Sequence, residues 1–139
     1  MLSSMKVLKE GGIECPDAII TATAYGMMET SMKFLDDMCR GGEELLAPTL
    51  FMQSTHNTIG GSVAIRLGCH GYNTTYTQGD KSMEWALRDA RDLIRSGKAK
   101  TVLVGCHDEA VELVDRYRAS AGLSPMPEIY SHSILLKAE

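Results

Sequence analysis

Four cysteines and four histidines are the residues of this 139-residue chain best suited to hold a metal or attack an electrophile. The tripeptide Gly-Cys-His occurs twice, at Gly68-Cys69-His70 and at Gly105-Cys106-His107, and on paper the two copies assemble a Cys2His2 set. Zinc needs its donors within about 2.3 Å of one ion, whereas neighbouring side chains on a strand point to opposite faces. The spacing therefore predicts small buried thiols beside surface imidazoles, and no metal site. Cys15, Cys39, Cys69 and Cys106 lie far apart and form no CxxC pair. Buried or incidental thiols in a reducing cytoplasm are expected, and a disulfide framework is not.

Ser54-Thr55-His56-Asn57 crowds hydroxyls, an imidazole and an amide at the start of an apolar segment. Such a cluster is either a nucleophile beside its base or the capping of a helix N-terminus. Side chains this close in sequence seldom form a triad, because triads converge from distant segments. No GxGxxG follows the first apolar run and no GxxxxGK[ST] occurs, so the glycine loops that cradle phosphates are missing and no cofactor is expected. Fourteen basic against eighteen acidic residues give a net charge of −4 with no basic block, which argues against nucleic acid as a partner. No apolar run approaches the roughly 18 residues of a membrane span, and Met1-Leu-Ser-Ser-Met-Lys6 has no apolar signal core. A single cytoplasmic domain over residues 1–139, with 44% hydrophobic residues to build one core, is the expectation.

The elements that must position these groups follow from periodicity. Leu2 to Glu10 reads as a helix stopped by Gly11-Gly12, and the β-branched run within Asp17 to Gly26 as a buried strand. A helix from Glu29 to Arg40 ends at Gly41-Gly42. Ile59, Val63 and Leu67 recur at helical spacing in Phe51 to Leu67, which predicts one buried helix whose Gly60 and Gly61 let another backbone approach. Tyr72 to Gln78 is a strand, Gly79-Asp80 breaks it, and Ser82 is placed to N-cap a helix from Met83 to Ser96 that Gly97 closes. Thr101 to Cys106 reads as a strand covered on both faces, His107 to Arg118 as a polar or mixed stretch, Pro125 and Pro127 as marks of a loop, and Ser133 to Lys137 as a last strand. This alternation specifies an α/β fold, a largely parallel sheet with helices on both faces.

Three of these segments in order carry a resemblance. Pro48 to Ile65 with its Asn57-Thr-Ile-Gly-Gly61 step, Gly71 to Ser82 with the helix behind it, and Ala99 to Ala110 with a strand ending in glycine and acidic residues are similar to the N-terminal part of the β-ketoacyl synthases. Ser131 to Glu139 resembles that family's closing strand. The resemblance to these thiolase-fold condensing enzymes of fatty acid and polyketide synthesis covers nearly the whole chain and is nearest to the aryl-polyene branch. It implies a thiolase-like half-domain with a mixed, largely parallel sheet. It also implies a first strand near the middle of that sheet, which no segment ahead of Pro16 is suited to supply.

The departures bear on function. A condensing enzyme takes its acyl chain on a cysteine thiolate at a helix N-terminus. Counting back from Ala90 puts Gly79 or Asp80 at that elbow, and a carboxylate is a poor acyl acceptor there. The family's catalytic His and Lys belong to a second half outside this sequence. Cys69 and Cys106 are not expected to replace the nucleophile, so no residue is assigned as catalytic. The resemblance makes Gln78, Gly79, Asp80 and Ser82 elbow equivalents, with Ser54, His56 and Asn57 as binding candidates expected to cluster near them and Gly60 and Gly61 at an interface. It implies a homodimer, or a heterodimer with a complete ketosynthase, and an acyl carrier protein as a further partner. Three functions remain open: a non-catalytic, chain-length-factor-like domain; a truncated 3-oxoacyl carrier-protein synthase fragment active only with a complementing chain; and a small regulatory or metal-binding domain using His56, His70 and the Gly-Cys-His pairs.

Overall fold

A computed structural model describes residues 2–41, 47–126 and 130–138. The expected roles of Gly42 and Pro127 fall outside those residues. Helix α1 (Leu2–Gly11) ends on Gly12, whose φ of +66° is the left-handed turn that the glycine pair predicts. It leads to strand β1 (Ala18–Ala22), buried along its whole length. Helices α2 (Met28–Gly41), α3 (Pro48–Gln53) and α4 (Thr58–Leu67) follow, then strand β2 (Tyr72–Tyr76) and helix α5 (Ser82–Arg95). Strand β3 (Thr101–Asp108), helix α6 (Glu112–Ser120) and strand β4 (Tyr130–Lys137) complete the chain.

The four strands are ordered β2-β1-β3-β4, with β1 parallel to both neighbours and β4 antiparallel to β3. Ile20 lies between Thr74 and Val104, at the centre of the parallel set. Alternation along β1 and β3 builds two cores. Ala18, Ile20, Ala22, Val102, Val104 and Cys106 pack under Ala86 and Ala90 of α5. Ile19 and Leu103 pack on the other face against Leu8 of α1 and Val63 of α4. Alanines at 86 and 90 let α5 sit close to the sheet while its charged face looks outward.

One carboxylate ties the N-terminal ends of β1 and β3 together. Asp17 Oδ2 accepts from the amides of Lys100 (2.8 Å) and Thr101 (2.9 Å) and from Thr101 Oγ1 (3.0 Å), and these amides hold its pKa below the ordinary value. No helix among the described residues is long and apolar enough to cross a membrane.

Three expectations are corrected. The helix from Phe51 to Leu67 is two helices, because Thr55 and Thr58 hydroxyls both donate to the Met52 carbonyl and Ser54 Oγ donates to that of Phe51. Local hydroxyl bonds there replace the next helical turn. Residues 112–120 are helical, with Val114 and Arg118 facing inward. The described strands form one continuous sheet in which β1 pairs directly with β3, which is one way for a sheet without the family's first strand to close. Cys15 and Cys69 are joined by a disulfide.

Candidate functional site at the strand-to-helix elbow

The chain leaves β2 at Tyr76 and enters α5 at Ser82 through a single 3-10 turn, Gly79–Lys81. Gly79 has φ +58°, a left-handed conformation that permits the sharp reversal. Ser82, fully buried, is the first residue of α5 rather than its N-cap, a position held by Lys81. Its hydroxyl accepts from the Gln78 amide (2.8 Å) and faces the carbonyls of Thr23 (2.8 Å) and Gly79 (2.6 Å). Ser82 therefore stitches the elbow to the end of β1, and its oxygen serves the turn before the helix instead of the helix amides.

Asp80 is held in place by α6. Arg118, only 7% exposed, donates Nη1 to Asp80 Oδ1 at 2.7 Å and Nη2 to Oδ2 at 3.2 Å. The guanidinium also bonds Tyr25 Oη (2.9 Å) and the Ser124 carbonyl, and lies over the Tyr25 ring. The guanidinium keeps the Asp80 carboxyl below the ordinary range, and Asp80 in turn raises the pKa of Arg118. Beside the pair, Asp108 at the end of β3 accepts from Thr23 Oγ1 (2.6 Å) and from the amides of Ala24 (2.9 Å) and Tyr25 (2.8 Å), which fixes the turn after β1.

A cavity of about 230 Å³ opens at this point. Asp80, Asp108 and Arg118 supply its polar wall, while Met83, Cys106 and Met126 supply its apolar one. An ionised carboxylate held by two charge-assisted hydrogen bonds is stabilised as the anion and is a weak nucleophile towards a thioester. The one thiol in the wall, Cys106, comes from a buried strand position rather than from a helix N-terminus.

The other predicted residues do not join this cluster. Ser54, His56 and Asn57 lie between α3 and α4, on the opposite face of the sheet from α5. Ser54 Oγ donates to the Phe51 carbonyl (2.7 Å), and among the described residues no hydrogen bond joins it to His56. Asn57 precedes α4 without a side-chain cap. His56 packs on Gly26 and shares a small cavity with Thr21, Thr23 and His107. Asn57 and Gly61 line an open polar groove with Asn73 and Thr75. Gly60 does admit a close neighbour: a Cβ there would meet Asn73 Oδ1 at 2.9 Å and Thr21 Oγ1 at 3.1 Å. Gly61 has nothing within 4 Å, so the packing reason expected for both glycines holds for Gly60 within this chain and not for Gly61.

His107 is buried rather than at the surface. Its Nδ1 lies 2.9 Å from Ser131 Oγ, and among the described residues Nε2 has no hydrogen-bond partner. Burial pushes its pKa down to about 4. Gly105 makes the room, since a Cβ there would come 2.6 Å from that Nε2. The two Gly-Cys-His triplets stay apart: Cys69 is bonded to Cys15, His70 is exposed, and Cys106 and His107 point to opposite faces of β3. Among the described residues no group of three or more His, Cys, Asp or Glu is placed to hold a metal ion. Arg118 and Tyr25 were not legible as partners of the elbow, because neither carries a motif and both are remote from it in sequence.

The β-ketoacyl synthase N-terminal domain family matches residues 5–134, and the chain belongs to that family. No curated protein matches the sequence significantly. Among solved structures, a ketosynthase (ApeO) in complex with its chain length factor (ApeC) from Xenorhabdus doucetiae is 22% identical with a TM-score of 0.75, covering 98% of this chain and 54% of that one. The ishigamide ketosynthase/chain length factor is 24% identical with a TM-score of 0.73, over 86% of this chain and 35% of that one. A type II polyketide acyl carrier protein in complex with its ketosynthase bound to the hexaketide (AntDE:AntF) is 19% identical with a TM-score of 0.70, over 89% and 34%. These likenesses establish the thiolase-like fold, and the chain spans between a third and just over half of the chains it matches.

Proposed function

We propose that this chain is a non-catalytic ketosynthase-like domain that acts, in the cytoplasm, as a chain-length-factor-like partner of a complete ketosynthase in fatty acid or polyketide (aryl-polyene-like) synthesis. The observation that carries the reading is the Asp80–Arg118 pair. Where a condensing enzyme presents a thiolate, this elbow presents a carboxylate already engaged by a guanidinium, so it neither accepts nor transfers an acyl group. Two further observations support a partner-binding role. Similar structures include ketosynthase/chain length factor assemblies, and one includes an acyl carrier protein. Helices α2 and α3 also pack on each other through Phe34 and Phe51 and leave Met32, Leu35, Phe51 and Met52 exposed, an apolar surface of the kind that marks a protein interface.

The test is light scattering on the chain alone and mixed with a complete ketosynthase from the same genome, with condensation assays on both samples. A specific complex that changes product length, with no condensation by the chain alone, is expected. A chain that ignores the ketosynthase and leaves product length unchanged contradicts the reading.

A further inference from the structure

We propose that Cys15 and Cys69 form a reversible redox staple that fixes the edge strand β2 and, through it, the elbow. The geometry begins with strand register. β1 and β2 are parallel, with Ala18 opposite Tyr72, and the two cysteines stand three residues ahead of that first pair, Cys15 in the bend before β1 and Cys69 just after α4. Their sequence separation of 54 is the same offset that separates the paired residues, so the bridge keeps the register of the ladder three residues beyond its first pair. Their Cα atoms are 5.9 Å apart, within the range that a disulfide spans. Folding of the sheet therefore brings the thiols together without any detour of the chain.

The staple acts where the sheet is otherwise weakly held. Within the sheet β2 pairs with β1 alone, and its first two residues are exposed. At the same end of the sheet, the Asp17 carboxylate ties β1 to β3, and the sulfur bridge is the covalent counterpart between β1 and β2. Gly71, just ahead of β2, fits so closely that a Cβ would run into the Asp17 carbonyl, which keeps the two strand ends in contact. Two residues beyond its other end β2 becomes Gln78, whose amide is held by Ser82 Oγ, and then Gly79 and Asp80. A change in how firmly β2 is held therefore reaches the elbow along a short, extended path.

Accessibility makes the bridge reversible. Cys15 is exposed and Cys69 is half-buried in the turn after α4, so a small thiol or disulfide can reach a sulfur. Exposed bridges are the labile ones. In the forward step the Cys15 thiolate attacks one sulfur of a low-molecular-weight disulfide such as glutathione disulfide and expels one thiolate. The Cys69 thiolate then attacks the Cys15 sulfur of the mixed disulfide, forms the bridge and expels the second thiolate. Two protein thiols are oxidised and one small disulfide is reduced to two thiols, with the cysteine protons passing through solvent to the released thiolates. The step does not depend on the ketosynthase reading.

The test uses the full chain carrying Cys39→Ser, which removes an exposed thiol on α2. Samples are equilibrated across ratios of reduced to oxidised glutathione and quenched with N-ethylmaleimide, then read by peptide mass and by amide hydrogen exchange. The expected result is a linked Cys15–Cys69 peptide whose fraction follows the glutathione ratio. Amides of β2 should exchange roughly tenfold or more faster in the reduced form, with β3 unchanged. Cys15→Ser should match the reduced form at every ratio. A bridge that never forms, one whose fraction ignores the ratio, or β2 exchange that is equal in both forms would each overturn the proposal.

Discussion

The carboxylate of Asp80 accepts both terminal nitrogens of Arg118, at 2.7 and 3.2 Å, across 38 residues of chain. The contact joins the start of α5 to α6, and Arg118 extends it to Tyr25 and Ser124. One guanidinium thus gathers the turn after β1, the elbow and the segment after α6 around a single cavity.

Because Arg118 holds the Asp80 carboxyl below 3.8, its contribution to stability is complete above that ordinary value and is lost as pH falls through the folded value. Asp80→Asn removes this dependence. Urea unfolding of both proteins should show a gap in midpoint at about pH 6 that narrows as pH falls below 3.8. A gap of constant size across that range would show that Asp80 contributes no charge-dependent stability.

His107 acts in the same direction over a higher pH window. An imidazole with a folded pKa of about 4 and an ordinary value of 6.5 is protonated more readily in the unfolded chain. Stability should therefore rise with pH between those values, and acidification through the window should cost about 3 kcal/mol. His107→Asn should flatten this part of the profile, and the wild-type imidazole proton resonances should move near pH 4. A midpoint at the ordinary histidine value would contradict its burial.

The two glycines of α4 should behave oppositely although they are neighbours. Gly60→Ala meets Asn73 and Thr21, and overpacking of this kind costs about 1–3 kcal/mol. Gly61→Ala meets nothing and gains helix propensity, so it should be neutral or stabilising by up to about 1 kcal/mol. Equal losses in chemical denaturation would mean that α4 sits differently against the sheet.

Much of the frame was legible in the sequence because its signals are local. Ala86, Leu87, Ala90 and Ile94 set the inner face of α5, and Val102-Leu-Val104 reads directly as a strand covered on both sides. What escaped depends on contacts between distant residues or on competition within a turn. The spacing of Ile59, Val63 and Leu67 extends back through Phe51, and only the hydroxyl bonds of Ser54, Thr55 and Thr58 reveal the break between α3 and α4. An inward-facing arginine makes residues 112–120 look solvent-facing until Asp80 is placed opposite Arg118. The pairing of Cys15 with Cys69 follows from the offset between β1 and β2, a quantity that exists only once the strands are paired. The elbow residues Gln78 to Ser82 could be counted from Ala90, whereas the family resemblance alone placed Ser54, His56 and Asn57 beside them, and these three lie across the sheet from the elbow.

The most direct test of the central claim is a trapping measurement. The chain and its Asp80→Cys variant are incubated with an acyl-carrier thioester and read by intact and peptide mass. The account predicts no acyl adduct on the wild type. The variant should carry one acyl group at position 80, because a thiol at a helix N-terminus has a lowered pKa. An adduct on the wild-type chain, most tellingly at Cys106 in the wall of the same cavity, would contradict the claim that this elbow is non-catalytic.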